Sequence, residues 1–525
     1  MKTTPFRILL VLLVVAGSLR PFATTAADAR KPNILLILCD DMGFSDLGCY
    51  GGEIRTPNLD RLASEGLRFT QFYNCAVCVT TRAALTTGLY PRKAAGTLRD
   101  DMVTLGEVMK AAGYSTGYTG KWHLGGEKPK RPIDRGFDEY FGLLSGCSNH
   151  FDPAKPDPVF YNGGETRAFA HNEKAVTEFP KNFYSTDAFT DHAIETIGRF
   201  SKAGRPFFHH LCYTAPHFPM QAPEEDIARY AGKYADGYFK LREKRHERQL
   251  ALGLLDAKWK LSTVDRKTGD FKYDYDVTPW ENLKDRAREE RRMEVYAAMV
   301  DRLDQNIGRL LKSLDEMGVA ENTIIFFLSD NGGCASWPAK EDAFEEYNRG
   351  IPVGDGRGYE FVGKGWGWAQ NAPFRRHKVW NYEGGISTPL LARWPGWVKA
   401  GTITHQPGHL IDFMPTLLEL AGGTYPAEFK GKKILPMEGR SLLPILDGRQ
   451  REPHESLCWA LQGNRAIRQG DWKLVWGASD RKWELYNLAE DRTEMRDLSG
   501  SQPQRAAAMA AEWKRWAEKI EVPTE

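Results

Sequence analysis

Two pairs of acidic and amide residues in this sequence carry side chains that can hold a metal ion. Asp40 and Asp41 come at the end of one short apolar run, and Asp330 and Asn331 come at the end of another. Carboxylate and amide oxygens suit a hard cation, Ca²⁺ with Mg²⁺ as the second choice, rather than zinc. Each pair alone could be a turn. Because both pairs end an apolar run, we predict that they bind one metal ion together.

Basic residues lie at the ends of two further apolar runs. Lys121 and His123 belong to the stretch Gly-Lys-Trp-His, and His217 ends the stretch Thr-Ala-Pro-His. A single lysine is usually a surface charge and a single histidine is often structural. These residues are therefore candidates for function only as a set. In open α/β sheets, ligands bind beyond the carboxyl ends of the strands. We therefore expect these residues to meet the acidic pairs at one edge of a sheet.

Cys78 is a third candidate for chemistry, as a reactive thiol. The residues from Thr81 onward predict a helix, which places Cys78 at the helix N-terminus, where anions bind and where a thiol pKa is lowered. Cys75 and Cys78 also form a CxxC pair, typical of a dithiol oxidoreductase or of half a zinc site. The chain has no second CxxC, and an oxidoreductase would leave the acidic and basic residues unexplained.

Strands and helices that alternate along the chain must position these residues. Short apolar runs bounded by turn residues predict buried strands at 34–38, near 114–118, and at 207–213, 324–328 and 389–392. Helical patterns lie between them, and the longest runs from about residue 280 to 316. We predict an α/β fold in which helices sandwich a large mixed, mostly parallel sheet.

The chain is predicted to divide near residue 400 into a catalytic domain at 28–400 and a smaller α+β domain at 401–525. The second part shows strand-like pieces at 466–468, 472–476 and 483–486, followed by a helical pattern near 505–520. Residues 240–292 are rich in charges of both signs, which predicts a solvated helical insert.

The N-terminus has the pattern of a secretory signal peptide at residues 1–27. Lys2 and Arg7 precede the apolar run 8–16, and small residues follow at 23–27. That run is shorter than the roughly 20 residues that span a bilayer. An uncleaved anchor is the alternative. We therefore predict an exported protein, periplasmic or secreted, with no membrane span after cleavage.

Composition excludes several classes of protein. The 525 residues are 42% hydrophobic and 27% charged, which is ordinary for a globular chain rather than a disordered one. Eight cysteines are too few for a disulfide scaffold of this length. The net charge of +2 gives no reason to predict nucleic acid as a partner.

These motifs together resemble the formylglycine-dependent sulfatases, the type I arylsulfatase-like branch of the alkaline phosphatase superfamily. The family signature Cys-x-Pro-x-Arg, followed by a small-residue helix that ends in Thr-Gly, corresponds to Cys78-Val-Thr-Thr-Arg82 and the residues to Gly88. The family motif Gly-Lys-Trp-His-Leu-Gly is intact at 120–125. Further matches lie at 32–34, 40–43, 56–60, 214–217, 330–332, 378–385, 412–416, 438–441 and 472–474.

The resemblance implies an alkaline phosphatase-like fold and an arylsulfatase-like hydrolase of sulfate monoesters. It implies that a formylglycine-generating enzyme converts Cys78 to formylglycine (3-oxoalanine), whose hydrated aldehyde is the nucleophile. The substrate would be a sulfated small molecule or carbohydrate. The implied ligands of the divalent cation are Asp40, Asp41, Asp330, Asn331 and the matured Cys78.

The resemblance also implies roles for the basic residues. Arg82, Lys121 and Lys378 would surround the sulfate with positive charge. His217, helped by Lys378, would donate a proton to the departing oxygen. His123 would take a proton from the remaining hydroxyl of the hydrated aldehyde.

The sequence departs from the family pattern at Thr80, where the family usually has proline. The maturation enzyme reads that position, so conversion of Cys78 depends on whether threonine is accepted. A phosphate or phosphonate ester hydrolase of the same superfamily, or a binding protein with unmodified Cys78, are the alternatives. Three tryptophans, Trp366, Trp368 and Trp380, could stack on a substrate ring or pack in the core.

Overall fold

A large mixed sheet forms the centre of the computed structural model, which describes residues 31–92 and 98–524. The predicted signal peptide at 1–27 lies outside the described residues. Within the described ranges, no helix has both the length and the apolarity to cross a membrane.

The strands and helices alternate along most of the chain. The strands are β1 Asn33–Cys39, β2 Leu67–Tyr73, β3 Ser115–Gly120, β4 Glu139–Leu143, β5 Phe169–His171, β6 Lys174–Ala175, β7 Phe207–Cys212, β8 Thr323–Ser329, β9 Ser387–Arg393, β10 Thr402–Thr404, β11 Gly408–His409, β12 Glu428–Phe429, β13 Lys432–Lys433, β14 Leu457–Leu461, β15 Asn464–Gln469, β16 Trp472–Trp476 and β17 Trp483–Asn487. The helices are α1 Pro57–Ser64, α2 Cys78–Thr87, α3 Leu105–Ala111, α4 Val159–Asn162, α5 Ser185–Lys202, α6 Glu224–Ile227, α7 Gly237–Ala251, α8 Arg286–Glu316, α9 Glu341–Asn348, α10 Lys364–Ala369, α11 Glu383–Ile386, α12 Phe413–Ala421, α13 Leu443–Leu446 and α14 Pro503–Lys519.

The order of strands in the large sheet is β10-β2-β9-β8-β1-β7-β3-β4-β5-β6, and β11 extends the pairing of β2. The central pairs β8–β1, β1–β7, β7–β3 and β3–β4 are parallel, whereas β9 pairs antiparallel with both β2 and β8. The predicted mixed, mostly parallel sheet is therefore confirmed. Because β1, β3, β7 and β8 are parallel, the residues that follow all four lie at one edge.

Helices cover both faces of this sheet. Alternate residues of β1 point to opposite sides: Leu35 and Ile37 join one apolar core, and Leu36 and Leu38 join the other. Helices α1, α5 and α8 contribute to the first core, and α3 and α12 contribute to the second. A strand buried on both faces has no polar alternation, which explains the continuous apolar runs of the sequence.

The long predicted helix is shorter than its sequence pattern suggested. Residues Trp280–Asn282 form a separate 3₁₀ turn, and α8 begins only at Arg286. The side chain of Asp285 accepts a hydrogen bond from the backbone N–H of Arg288 and caps the helix. This cap fixes the N-terminal end of α8, because the Asp285 carboxylate accepts a hydrogen bond from a backbone N–H that has no acceptor within the helix.

The expected solvated helical insert at 240–292 is wrong in two respects. Apart from the 3₁₀ turn at Trp280–Asn282, only α7 and the start of α8 are helical within it, and the backbone between them is largely irregular. Two charges of α7 are fully buried: Arg242 reaches the carbonyl oxygen of Trp368, and Arg245 pairs with Asp46 at 2.6 Å. A sequence with alternating charge signs does not show whether a charged side chain is solvated or is buried against a partner that is distant in the chain.

The C-terminal part forms the predicted small α+β unit. Strands β14 to β17 make an antiparallel sheet, and α14 packs on one face of it through Met509 and Trp513. The other face packs on Trp380 and Tyr382 of the larger part. Buried Lys473 pairs with Glu383 at 2.9 Å across this junction. The boundary at residue 400 stays a prediction, and β10 and β11 beyond it still pair with β2.

Candidate active site

Four side chains that follow β1 and β8 meet at one edge of the sheet. Asp40, Asp41, Asp330 and Asn331 are all buried. The backbone N–H of Asp41 donates to Oδ1 of Asp330 at 3.2 Å, and Nδ2 of Asn331 donates to Oδ1 of Asp41 at 2.7 Å. The structure thus brings together the acidic residues that the sequence selected.

Three oxygens of this cluster have no hydrogen-bond partner although they are buried. They are Oδ1 of Asp40, Oδ2 of Asp41 and Oδ1 of Asn331. Buried polar atoms are nearly always paired, so a group of unpaired oxygens fits a cation ligand set. Oxygen donors of this kind suit Ca²⁺ or Mg²⁺.

The carboxylates lie close enough together that the charge of one raises the pKa of another. Burial, together with the charge of Asp40, raises the pKa of Asp330 to about 7. A bound divalent cation would offset this repulsion. The residues present therefore fit the implied cation by both donor type and charge.

Two cationic side chains contact Asp40 and Asp330. Lys121 follows β3 and places Nζ 2.5 Å from Oδ2 of Asp40. Arg82, one turn into α2, places NH2 2.8 Å from Oδ2 of Asp330, and its NH1 donates to the backbone oxygen of Lys121. Gly120, directly before Lys121, permits the ends of β3 and β7 to approach closely: it has φ 102°, and a Cβ there would lie 1.8 Å from the carbonyl oxygen of Cys212.

Lys378 and His217 contact the third carboxylate, that of Asp41. Nζ of Lys378 is 2.6 Å from Oδ1 of Asp41, and Nε2 of His217 is 3.5 Å from Oδ2. Burial alone would raise the pKa of Asp41, but Lys378 and His217 outweigh it and hold that pKa below its usual value. Burial lowers the pKa of His217 to about 3, so its ring is neutral in the absence of a bound anion.

Cys78 is the first residue of α2 and lies at the base of the site. Its Sγ is 3.4 Å from Nδ1 of His123. The expectation of a lowered thiol pKa is wrong: burial raises the pKa of Cys78, although Lys121 and Lys378 act in the opposite direction. Burial also raises the pKa of Cys75. Two buried thiols with raised pKa values do not favour dithiol redox chemistry, which requires a thiolate.

The backbone is strained around this cluster. Asp41 and His123 have φ angles of 69° and 59°, and Arg376 and Val379, which flank Lys378, have φ angles of 62° and 83°. A β-branched residue such as Val379 rarely adopts positive φ. Such residues concentrate at functional sites, where the surrounding structure holds them in place.

Thr80, which replaces the usual family proline, does not point its hydroxyl at the site. Its Oγ1 donates to the backbone oxygens of Cys75 and Val77, each at 2.9 Å. The first intrahelical hydrogen bond of α2 comes from the N–H of Thr81, so the N–H of Thr80 has no acceptor within the helix. Threonine therefore occupies a position whose backbone would also accept proline.

A cleft of about 900 Å³ opens above Cys78, His123, His217 and Lys378. The sequence did not reveal its outer wall, to which residues 267–278 contribute Phe271, Tyr273 and Tyr275 among others. This irregular segment is held by long-range contacts, since NH1 of Arg376 is 2.7 Å from Oδ1 of Asp274. No local pattern marks such a wall.

The cleft has a mixed aromatic and charged lining. Its aromatic side chains include Tyr161 and Trp337, and its basic side chains include Arg167, Lys267 and Lys364. The three tryptophans considered from the sequence are core residues instead. Trp366, Trp368 and Trp380 are 0%, 4% and 0% exposed.

Comparison with known proteins gives a consistent result. The Sulfatase family profile matches residues 32–423, and the profile for the C-terminal region of N-sulphoglucosamine sulphohydrolase matches residues 374–520. An uncharacterized sulfatase of Schizosaccharomyces pombe is 34% identical, over 91% of this chain and 92% of its own length. The arylsulfatase of Klebsiella aerogenes is 32% identical, over 85% of this chain and 98% of its own.

Solved structures have the same fold. The crystal structure of Ps i-CgsB in complex with k-i-k-neocarrahexaose has a TM-score of 0.68 and 26% identity, and covers 94% of each chain. The structure of BT4656 in complex with its substrate D-glucosamine-2-N,6-O-disulfate has a TM-score of 0.62 and 21% identity, over 94% of this chain and 98% of its own.

Proposed function

The chain belongs to the sulfatase family and is a sulfuric ester hydrolase, and from this premise we propose that it cleaves sulfate monoesters with a formylglycine derived from Cys78. The observation that supports this most directly is the set of three unpaired buried oxygens of Asp40, Asp41 and Asn331, beside Cys78 at the base of the cleft. Asp40, Asp41, Asp330, Asn331 and Cys78 would hold a divalent cation, Ca²⁺ by preference. The cation would supply positive charge against the sulfate oxygens.

Charge counting explains why the site would need the cation. Three carboxylates, those of Asp40, Asp41 and Asp330, are matched by three cationic side chains in contact with them. Burial keeps both His123 and His217 neutral by lowering their pKa values. The protein alone therefore offers an anion little net attraction, whereas a divalent cation leaves an excess of positive charge. We propose that Arg82, Lys121 and Lys378 bind and orient the sulfate within that field.

Cys78 and His123 form the proposed nucleophilic pair. Formylglycine at position 78 would supply a hydrated aldehyde, one hydroxyl of which attacks sulfur. His123 Nδ1 is 3.4 Å from Sγ of Cys78, so a hydroxyl on that side chain lies within its reach. The neutral imidazole can accept the proton of the second hydroxyl, which releases sulfate and restores the aldehyde. Turnover then requires no second attack at sulfur.

His217 is the proposed acid for the departing oxygen. Its Nδ1 lies 2.6 Å from the backbone oxygen of Phe218 and donates its proton there, which leaves Nε2 free to face Asp41 and the cleft. The bound sulfate must raise the pKa of His217 from about 3 for the donor form to be populated. Lys378 has a pKa well above its usual value because Asp41 outweighs the effect of burial, so it remains protonated beside this path.

Replacement of His217 by alanine should lower kcat about 10²–10⁴-fold, the usual effect of removing a positioned acid. The loss should be smaller for nitrophenyl sulfates than for alkyl sulfates, because a leaving group of low pKa needs less protonation. Steady-state kinetics on both ester types measures the difference. An equal loss on both would contradict the assignment. His405→Ala, which alters an exposed histidine, is the control.

The cleft is proposed to take a sulfated carbohydrate. Its volume of about 900 Å³ and its aromatic side chains, such as Tyr161 and Trp337, suit sugar rings beyond the sulfated one. The related Ps i-CgsB structure contains an oligosaccharide. We expect protein with matured Cys78 to release inorganic sulfate from sulfated oligosaccharides faster than from nitrophenyl sulfate, with matching phosphate esters as controls. Faster hydrolysis of the phosphate esters would overturn the proposal.

A further inference from the structure

A second cluster of metal-type side chains lies at the edge of the large sheet, away from the cleft. Glu139 begins β4, His171 ends β5, and His192 lies in α5, which packs over this part of the sheet. The four oxygen-donor residues of the active site follow the carboxyl ends of β1 and β8. Glu139 instead lies at the amino end of its strand, so this cluster belongs to a different part of the fold.

The three side chains direct their ligand atoms at one another. Nε2 of His171 is 2.9 Å from Oε1 of Glu139, and Nε2 of His192 is 3.6 Å from the same oxygen. One ligand atom from each residue lies within 4.8 Å of the other two. Ligands bonded to one tetrahedral zinc at about 2.0–2.2 Å are roughly 3.3 Å apart, a spacing that the two measured distances bracket.

His192 supplies an independent observation in favour of a ligand site. Its side chain is only 10% exposed, yet its Nε2 has no hydrogen-bond partner. A buried imidazole nitrogen is normally paired. This one points at Glu139 beyond hydrogen-bonding distance, as a nitrogen does when it shares a metal ion with a carboxylate.

The outer contacts of His192 suit a metal ligand. Nδ1 of His192 is 2.7 Å from Oγ1 of Thr119, which is itself 3.0 Å from Nε2 of His209. A proton on Nδ1 that is donated to Thr119 leaves the lone pair of Nε2 free, and this is the usual arrangement of a metal-binding histidine.

We propose that Glu139, His171 and His192 form a zinc site separate from the catalytic cation. Two imidazoles and one carboxylate are donors typical of Zn²⁺, whereas the oxygen-only side chains Asp40, Asp41, Asp330 and Asn331 suit Ca²⁺. The side chain of His171 is half-exposed, so solvent can reach the cluster and a water can complete a tetrahedron. By joining β4, β5 and α5, the ion would secure the edge of the sheet.

The competing explanation is an ion pair that needs no metal. Arg199 NH2 lies 3.1 Å from Oε2 of Glu139, and His171 can donate to Oε1. The two explanations predict different effects of removing Arg199. In a zinc site, its positive charge repels the ion, so its removal should strengthen zinc binding. In a metal-free ion pair, its removal creates no zinc affinity.

Zinc chloride titration of the EDTA-treated and dialysed full-length protein tests the site. Excess CaCl₂ is kept present so that the oxygen-rich site holds calcium. We expect wild type to bind one zinc ion with high affinity, measured by calorimetry and by metal analysis after gel filtration. His171→Ala should weaken this binding at least about 100-fold, because it removes a ligand. Arg199→Gln should strengthen it several-fold.

Two controls separate this result from other effects. His405→Ala removes an exposed histidine elsewhere and should leave zinc affinity unchanged, and circular dichroism establishes that each variant is folded. Zinc should also raise the Tm of wild type and of Asn331→Ala, but not that of His171→Ala. Equal zinc binding by wild type and His171→Ala, or no binding by either, would overturn the proposal. Neither outcome depends on sulfatase activity, so the proposed catalytic mechanism is judged separately.

Discussion

Cys78→Ala is expected to abolish sulfate release, with a loss of at least about 10⁵-fold, the scale seen when a covalent nucleophile is removed. The Sγ of Cys78 lies at the first turn of α2, at the base of the cleft and 3.4 Å from His123. No other described side chain occupies that position. Peptide mass spectrometry of the wild type should show an aldehyde in place of the thiol, and activity should scale with the aldehyde fraction.

Cys75→Ala is the matched control for this result. Cys75 is also buried and forms the other half of the CxxC pair, but it lies 3.9 Å from Nε2 of His409 rather than in the cleft. Its removal should leave activity within a few-fold of wild type. If the dithiol were the reactive group, both variants would lose activity equally. Full activity in protein with only unmodified Cys78 would also rule out the formylglycine proposal.

Removal of the cation ligands is expected to have the second largest effect. Asp330→Ala should lose bound calcium and lower activity by about 10³-fold or more, because several kcal/mol of charge stabilisation disappear. That change also removes the 2.8 Å ion pair of Arg82, so Asn331→Ala is the cleaner variant: it removes an unpaired oxygen and no charge. Both should lose calcium and activity together, by metal analysis and sulfate release.

Acid should weaken cation binding in the wild type. Without the cation, burial and Asp40 raise the pKa of Asp330 to about 7, so below that pH this carboxyl is protonated. Cation binding must then displace the proton, and affinity should fall by up to about tenfold per pH unit. Asn381→Ala is the control for the ligand variants. It alters a buried asparagine outside the donor set and should change neither the bound calcium nor the rate of sulfate release. Stoichiometric zinc without calcium or magnesium at the oxygen-rich site would contradict the assignment.

Local sequence was sufficient for the five strands at the centre of the large sheet, β9, β8, β1, β7 and β3, but not for the strands that flank them. Continuous apolar runs predicted β1, β7, β8 and β9 because a strand covered on both faces has no polar side. The boundary of α8 was missed because the capping contact of Asp285 competes with a helical pattern that continues through it. The burial of Arg242 and Arg245 was missed because their partners lie far away in the sequence.

The sequence by itself determined the chemical groups of this protein. Short motifs after apolar runs identified the oxygen donors, Lys121, His123 and His217, and the CxxC pair identified Cys78, whereas Arg82 and Lys378 came from the resemblance to the family. Parallel strands then required that the residues following them meet at one end of the sheet. Only the tertiary structure decided which oxygens lack partners, that burial raises rather than lowers the pKa of Cys78, and that residues 267–278 wall the cleft. It alone brought Glu139, His171 and His192 together. The reason is physical: motifs are local, whereas burial, charge balance and cavity shape depend on contacts between residues that are distant in the chain.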